Sequence, residues 1–382
     1  MNHYKGNRRG QRNFKNSGGR FKKRHDPPPP RPEAAAPKYL QLSKNRQFAP
    51  PGHSYKLYME FWSPEKDWQR SNDAYKGNRN RKKTTISDCL KQCAELPNEA
   101  YKLLQSIRDR QRAMRQSLDV EVYHVSARTS SPFVTGMGYE HPLENGFHFS
   151  DPYGLPCLPG SSIKGVVKDT AAELALFDRE SKWDLYSYYL LFGFDDGVPF
   201  LDSTGKGNTV TQSWIRAYDE YIENLSCTEI EKLFSTVFAS FKDQYPTAEA
   251  KVEFLRQDLP AAKKSNVHWA GTLHFWDSYP ELPKQTGMKV EIMNPHFGEY
   301  YQDSKAPHDG LNPTPINYLS VPTNQRMDFH VSLDQRLAEN SELEKTWMAL
   351  IDEAFSHVFE WSGFGAKRSQ GFGTMQREES SP

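Results

Sequence analysis

The sequence predicts an α+β sandwich rather than a doubly wound sheet. Period-two alternation of apolar and polar residues appears at Asp119–Thr129, Val267–Trp276 and Met327–Leu333. Helical spacing appears at Val166–Leu176 and Glu342–Glu360. Strand, helix, strands, helix, in that order, suits strands packed under two helices.

The chain has 382 residues, enough for one large domain or two ordinary ones. Aromatic residues make up 13%, so a sizeable core is affordable. The net charge of +1 hides an asymmetry. Residues 1–46 carry 13 Lys and Arg against Asp26 and Glu33, while the remainder carries 36 basic and 46 acidic residues. A basic arm on an acidic body suggests a polyanion-binding tail, and any nucleic-acid surface on the body must be local.

Residues 1–37 are expected to be a disordered basic arm, rich in Arg, Gly and Pro, with Phe14 and Phe21 interspersed. Pro27–Pro30 favour polyproline II, a stiff spacer. Such an arm is either solvated tail or a nonspecific RNA contact. Residues 38–118 read as a partly helical extension. Within it, 64–88 (with Arg79, Arg81, Lys82 and Lys83) read as loop or linker. Residues 98–118 have helical spacing at Tyr101, Leu104, Ile107 and Met114, with Asn98 as N-cap. The arginines of that helix are expected on a solvated face.

The core is expected to comprise 119–176 and 261–375. A glycine-punctuated loop runs from Phe133 to Gly154, and a helix is expected over Val166–Leu176. Residues 177–260 read as a helical insertion, with amphipathic stretches at Trp183–Phe192, Ser213–Leu225 and Thr228–Lys242. Residues 284–315 are irregular and rich in Pro, Asn and Gly. Asn317–Pro322 reads as a strand, and 376–382 as a tail.

Cys89, Cys93, Cys157 and Cys227 form no Cys-x-x-Cys pair, which argues against structural zinc, and so few cysteines fit a reducing cytoplasm. The N-terminus has charge but no apolar core of a secretory signal, and no run approaches the roughly 18 apolar residues of a membrane span. A cytoplasmic protein without membrane contact is expected.

Two glycine-bearing segments carry the functional reading. The first is Leu158–Gly165 (LPGSSIKG). Ser161 or Ser162 can cap the following helix, whose free N–H groups can hold a phosphate. Gly160 permits close backbone approach, and Lys164 and Lys168 add positive charge. The plain alternative is an ordinary capped turn. This is not a P-loop: Lys164 precedes Gly165, and Val166 stands where a Walker motif has other residues. The second segment is Gly363–Gly373 (GFGAKRSQGFG). Gly363, Gly365, Gly371 and Gly373 leave room for a sugar-phosphate chain against backbone amides. Lys367 and Arg368 can neutralise phosphates, with Ser369 and Gln370 as further polar contacts. Phe364 and Phe372 can stack on bases or pack inward. The alternative is a structural glycine-rich turn.

This second pattern, after a C-terminal helix, resembles the glycine-rich loop of the RAMP superfamily of CRISPR proteins, and Pro159–Gly165 resembles that superfamily's N-terminal motif. Gly271–Tyr279 and Met293–Tyr301 look like one branch, the sixth subunits of type III-B (Cmr) effector complexes. The resemblance covers roughly 119–375; the basic arm departs from the compact form of the family. It implies a modified ferredoxin-like (RRM-like) RAMP core with a helical insertion. It further implies a non-catalytic, RNA-binding subunit near the 3′ end of CRISPR RNA, capping the backbone filament and contacting target RNA beside other RAMP subunits, in antiviral defence.

Twelve histidines invite a nuclease reading. His141, His148, His268, His274, His296 and His308 lie near the motifs, and a metal-independent ribonuclease would use such a group as general acid or base. His274, in an alternating run, reads as a strand residue. Asn294 and His296 read as RNA-binding or loop-fixing, and Asp277 as ending a strand. No metal-ligand spacing is present, and neither metal nor other cofactor is expected. The competing functions are a RAMP-type endoribonuclease and an RRM-like RNA chaperone driven by the arm.

Overall fold

A computed structural model describes residues 33–34, 48–63, 69–70, 86–142, 145–194, 200, 209–261, 269–294, 315–334 and 341–378. Most of the basic arm, most of the 64–88 stretch, and His268, His296 and His308 lie outside them. Within the arm, β1 (Glu33–Ala34) pairs with β2 (Glu60–Ser63), which pairs with β3 (Gln69–Arg70). The extension also holds helices α1 (Pro51–Leu57), α2 (Ile86–Ala94) and α3 (Asn98–Ser117).

The main sheet is antiparallel with order β13-β4-β12-β9: Met375–Arg377, Val122–Thr129, Arg326–Leu333 and Leu273–Phe275. In chain order, β4 leads to helix α4 (Gly160–Phe177), then β9, β12, a helix over Ser341–His357 (α10 below) and β13. That is β-α-β-β-α-β, with β12 inserted between the two strands that α4 joins: a split β-α-β arrangement. Between β4 and α4 lie the short strands β5 (Phe149–Ser150) and β6 (Leu155–Pro156). Helices α5 (Leu185–Phe192), α6 (Thr209–Glu223), α7 (Cys227–Ser235), α8 (Ala248–Glu253) and α9 (Leu259–Ala261) fall between α4 and β9, with β7 (Gly193–Phe194) after α5 and β8 (Trp269–Ala270) after α9.

One face of the sheet forms the core. Tyr123, Val125 and Ala127 on β4 and Met327, Phe329 and Val331 on β12 are buried there. Against them α10 packs Trp347, Ile351, Ala354, Phe355 and Val358, the stripe its helical spacing predicts. Phe329 lies 5.4 Å from the Phe355 ring and 5.1 Å from Phe364.

The other face carries His124, Ser126 and Arg128 on β4, registered against His330, Asp328 and Arg326 on β12. α3 covers part of it, so β12 is buried on both sides through its middle. The expectation of a solvated arginine face on α3 fails here. Arg108 is buried, with Nη2 3.2 Å from Asp328 Oδ2 and Nη1 3.4 Å from Glu281. Arg112 reaches the same Asp328 oxygen at 3.3 Å. Met114, expected inward, is exposed, and Pro97 rather than Asn98 is the N-cap of α3.

Three further expectations shift. The Val267–Trp276 run divides into β8 and β9, in different sheets. The break comes at Gly271, where a Cβ would stand 2.3 Å from the Phe192 carbonyl carbon, so the strand bends past α5. The irregular stretch after 284 contains β10 (Lys289–Met293), paired with β11 (Ile316–Ser320). Helix α4 begins at Gly160, six residues before Val166.

Candidate nucleic-acid interface

The Leu158–Gly165 segment does not precede α4; it forms the first turns. Pro159 is the N-cap, and neither Ser161 nor Ser162 supplies a cap. Asp277 does so, accepting the Gly160 N–H at Oδ1 (2.8 Å). The Ser162 and Ile163 N–H groups donate to the Pro159 carbonyl at 2.9 and 3.0 Å. A Cβ on Gly160 would sit 2.0 Å from the Phe275 carbonyl oxygen, so glycine here lets α4 abut β9. The helix N-terminus expected to await a phosphate is therefore already met by a carboxylate. Asp277 does more than end a strand.

Ser161, Ser162 and Gly165 are exposed on α4, with Lys164 and Lys168 partly so. A Cβ on Gly165 would meet nothing within 4 Å, leaving an open notch on that helix face.

The Gly363–Gly373 loop is built on its own backbone. Gly363, Gly365, Gly371 and Gly373 all have positive φ, between 63° and 84°. The Phe364 N–H donates to Gly373 O (2.9 Å), Ala366 N–H to Val134 O (2.7 Å) and Gly373 N–H to Pro132 O (2.9 Å). The Gln370 and Phe372 N–H groups donate to Lys367 O, and Gly371 N–H to Arg368 O. A Cβ on Gly373 would lie 1.8 Å from Phe364 O, and one on Gly365 2.2 Å from Val134 O. Three of these glycines thus fit the loop to its own strands, and most of its amides face inward. The 130–134 segment after β4 is its floor: Ser130 and Ser131 also bond Thr374. Sequence reading passed over those serines.

Of the aromatic pair, Phe364 is fully buried among Phe329, Phe355 and Phe359 and cannot reach a base. Phe372 is half-buried, 6.4 Å from Tyr318. Lys367 adopts the left-handed region (φ 62°) and turns back on the β10–β11 ribbon. Its ammonium lies 3.0 Å from Met293 Sδ, 3.1 Å from Gln370 Oε1 and 5.1 Å from the Tyr318 ring centroid. Exposed Asn294 follows Met293, so the end of β10 and the glycine loop meet. Arg368, Ser369, Gln370 and Gly371 are the exposed tip.

The two motifs come together electrostatically through Asp169 on α4. Local crowding pushes its carboxyl up, while the charges of Arg368 and Lys168 pull it down; the first effect wins. Arg368 therefore stands within Coulombic reach of the α4 face that bears Lys168 and the Gly165 notch.

His141, His148 and His274, the described histidines near the motifs, are tied elsewhere. His141 stacks on Tyr55 at 3.8 Å, and its burial lowers its pKa. His148 is likewise pushed down by burial. His274 is exposed, 3.6 Å from Asp334. Among the described residues no group of three or more His, Cys, Asp or Glu is placed to hold a metal ion. No helix among them is long and apolar enough to cross a membrane. A cavity of about 630 Å³, lined by Lys182, Tyr186, Lys232 and Lys345, lies at the end of α10 remote from the glycine loop.

Split β-α-β topology, a helix-opening Pro-Gly-Ser-Ser motif and a double Gly-Phe-Gly loop after the last helix are features of a RAMP protein. The RAMP superfamily profile matches residues 126–376, and the chain belongs to that superfamily. Within it, the chain resembles Cmr6. It is 27% identical to CRISPR system Cmr subunit Cmr6 of Pyrococcus furiosus over 311 residues, 78% of this chain and 80% of the relative. A chain of the cryo-EM structure of type III-B Cmr-beta bound to cognate target RNA overlaps 77% of this chain and 70% of its own length, with 14% identity and a TM-score of 0.41. The crystal structure of Cmr6 from Pyrococcus furiosus overlaps 68% of this chain and all of its own, with 23% identity and a TM-score of 0.30.

Proposed function

We propose that this protein is a non-catalytic RNA-binding subunit of a type III CRISPR effector ribonucleoprotein, with a modified ferredoxin-like core spanning 119–176 and 261–375. It contacts CRISPR RNA toward its 3′ end, helps cap the backbone filament for target RNA binding, and works in the cytoplasm beside other RAMP subunits. Superfamily membership and likeness to a Cmr subunit support the assembly. The observation that carries the RNA contact is the exposed 368–371 tip, whose Arg368 stands near Asp169 on α4, next to Lys168. The site as proposed comprises that tip and the outer face of α4. Gly160, Gly363, Gly365 and Gly373 shape it, while Lys367 and Asn294 join it to the β10–β11 ribbon. His141 and His148 pack against Tyr55 and Tyr139 and His274 lies beside Asp334, which favours binding over cleavage.

Purified protein incubated with labelled repeat RNA and with target RNA tests this. Retarded but uncut RNA, and co-assembly with the other RAMP subunits, is the expected result. Defined cleavage abolished by a single His or Asp substitution would make it an endoribonuclease instead. Loss of all binding on deleting 1–37 would place the function in the arm.

A further inference from the structure

The last helix, α10, does not end as an α-helix. Its final turn, Val358–Ser362, is π-helical, closed by Gly363 N–H donating to Val358 O at 2.8 Å. Trp361 lies three residues after buried Val358. In a continued α-helix that spacing would keep the indole on the apolar stripe with Ala354 and Val358. The wider turn rotates it off the stripe, and Trp361 is 76% exposed, more than any other large apolar side chain among the described residues. π-Turns of this kind are rare and recur at functional sites. Here the turn opens directly into the glycine loop and packs beside α4.

Resting on the RNA-binding reading above, we propose that Trp361 is a stacking platform for a base of single-stranded RNA whose phosphates run past Arg368. The occupant follows from the neighbours. Exposed Arg368, Ser369 and Gln370 lie on the loop that follows the turn, and α4, which packs against the turn, carries Lys168 beside Asp169, the carboxylate that Arg368 also faces. A π-face beside cations and polar groups is how single strands are held without sequence preference. The site takes over the stacking that buried Phe364 cannot supply.

The experiment measures binding of a labelled single-stranded RNA, and of the same RNA with abasic positions, by parent protein, W361A, W361F and R368A across a salt series. W361A should weaken binding of intact RNA roughly tenfold, without changing the salt slope, as loss of one stack does. W361F should recover most of that loss, and abasic RNA should bind parent and W361A alike. R368A should instead lower the slope. If the parent binds RNA and W361A binds it equally well, the platform is overturned alone. If the parent binds no RNA, both this inference and the reading beneath it fall. Trp361 is exposed, so an unfolded W361A is not expected; a W361F that folds but binds like W361A also overturns the proposal.

Discussion

The guanidinium of Arg108, on a helix ahead of the core, lies 3.2 Å from the carboxylate of Asp328 in the middle of β12. Both are buried. Asp328 also accepts from Ser126 at 2.7 Å and from Arg326 at 3.1 Å. Burial alone would raise its pKa. Hydrogen bonds from His124 and Ser126 and the charges of Arg108 and Arg326 outweigh that and hold it far below the usual carboxylate range. The extension is thereby clasped to the sheet face that an RRM-like protein would leave open. On the proposed reading, RNA contact falls instead to the glycine loop at the sheet's end.

Arg108→Ala removes the most buried of these cations. Breaking a buried pair from one side costs about 3 kcal/mol, because the other charge is left short of partners. Urea unfolding should show that loss, and Arg112→Ala, at the half-exposed position, should show much less. Equal effects would mean that the clasp is not centred on Arg108.

His330 gives the fold a pH dependence. Its ring lies between Trp276 (5.2 Å) and His124 (4.9 Å), and neither nitrogen meets a hydrogen-bond partner among the described residues. Burial first, then the charge of His124, lower its pKa to about 4; Asp328 pulls the other way, and Arg115 and Arg112 add smaller downward pushes. The unfolded chain takes up this proton below about pH 6.5, and the folded chain refuses it until about pH 4. Stability should fall by about 3 kcal/mol across that window as pH drops. The Asp328 contribution has the usual carboxylate sign and is lost only below about pH 4. His330→Phe should flatten the first window in pH-dependent thermal unfolding and leave the second.

The glycines of the loop separate by role. Gly371→Ala meets open space but a φ of 81°, and should cost about 1 kcal/mol. Gly373→Ala drives a methyl to 1.8 Å from Phe364 O and should cost about 3 kcal/mol or more. Thermal unfolding of both variants checks the order; the reverse order would contradict the loop's geometry.

Much of this is legible in the sequence alone. The apolar stripe of α10 and the alternation of β12 follow local periodicity, and both elements lie where that periodicity puts them. What was missed depends on partners distant in sequence. Arg108 looked like a solvated cation because Asp328 lies 220 residues away. A usable signal existed: an Asp inside the apolar run Met327–Leu333 must find a partner once buried. The cap of α4 was assigned to Ser161 or Ser162 because the true acceptor, Asp277, comes 117 residues later. Trp361 lies just past the helix expected over Glu342–Glu360, and the π-turn there leaves it exposed. Gly365 and Gly373 read as room for a ligand, whereas their missing side chains accommodate the protein's own carbonyls.

The most direct test of the proposed RNA interface is Arg368→Ala, which removes an exposed charge without touching the packed Lys367. RNA affinity measured from low to moderate salt should fall, and the slope of log K against log salt should shrink by about 0.7, one phosphate contact on a single strand. An unchanged affinity with an unchanged slope would contradict it.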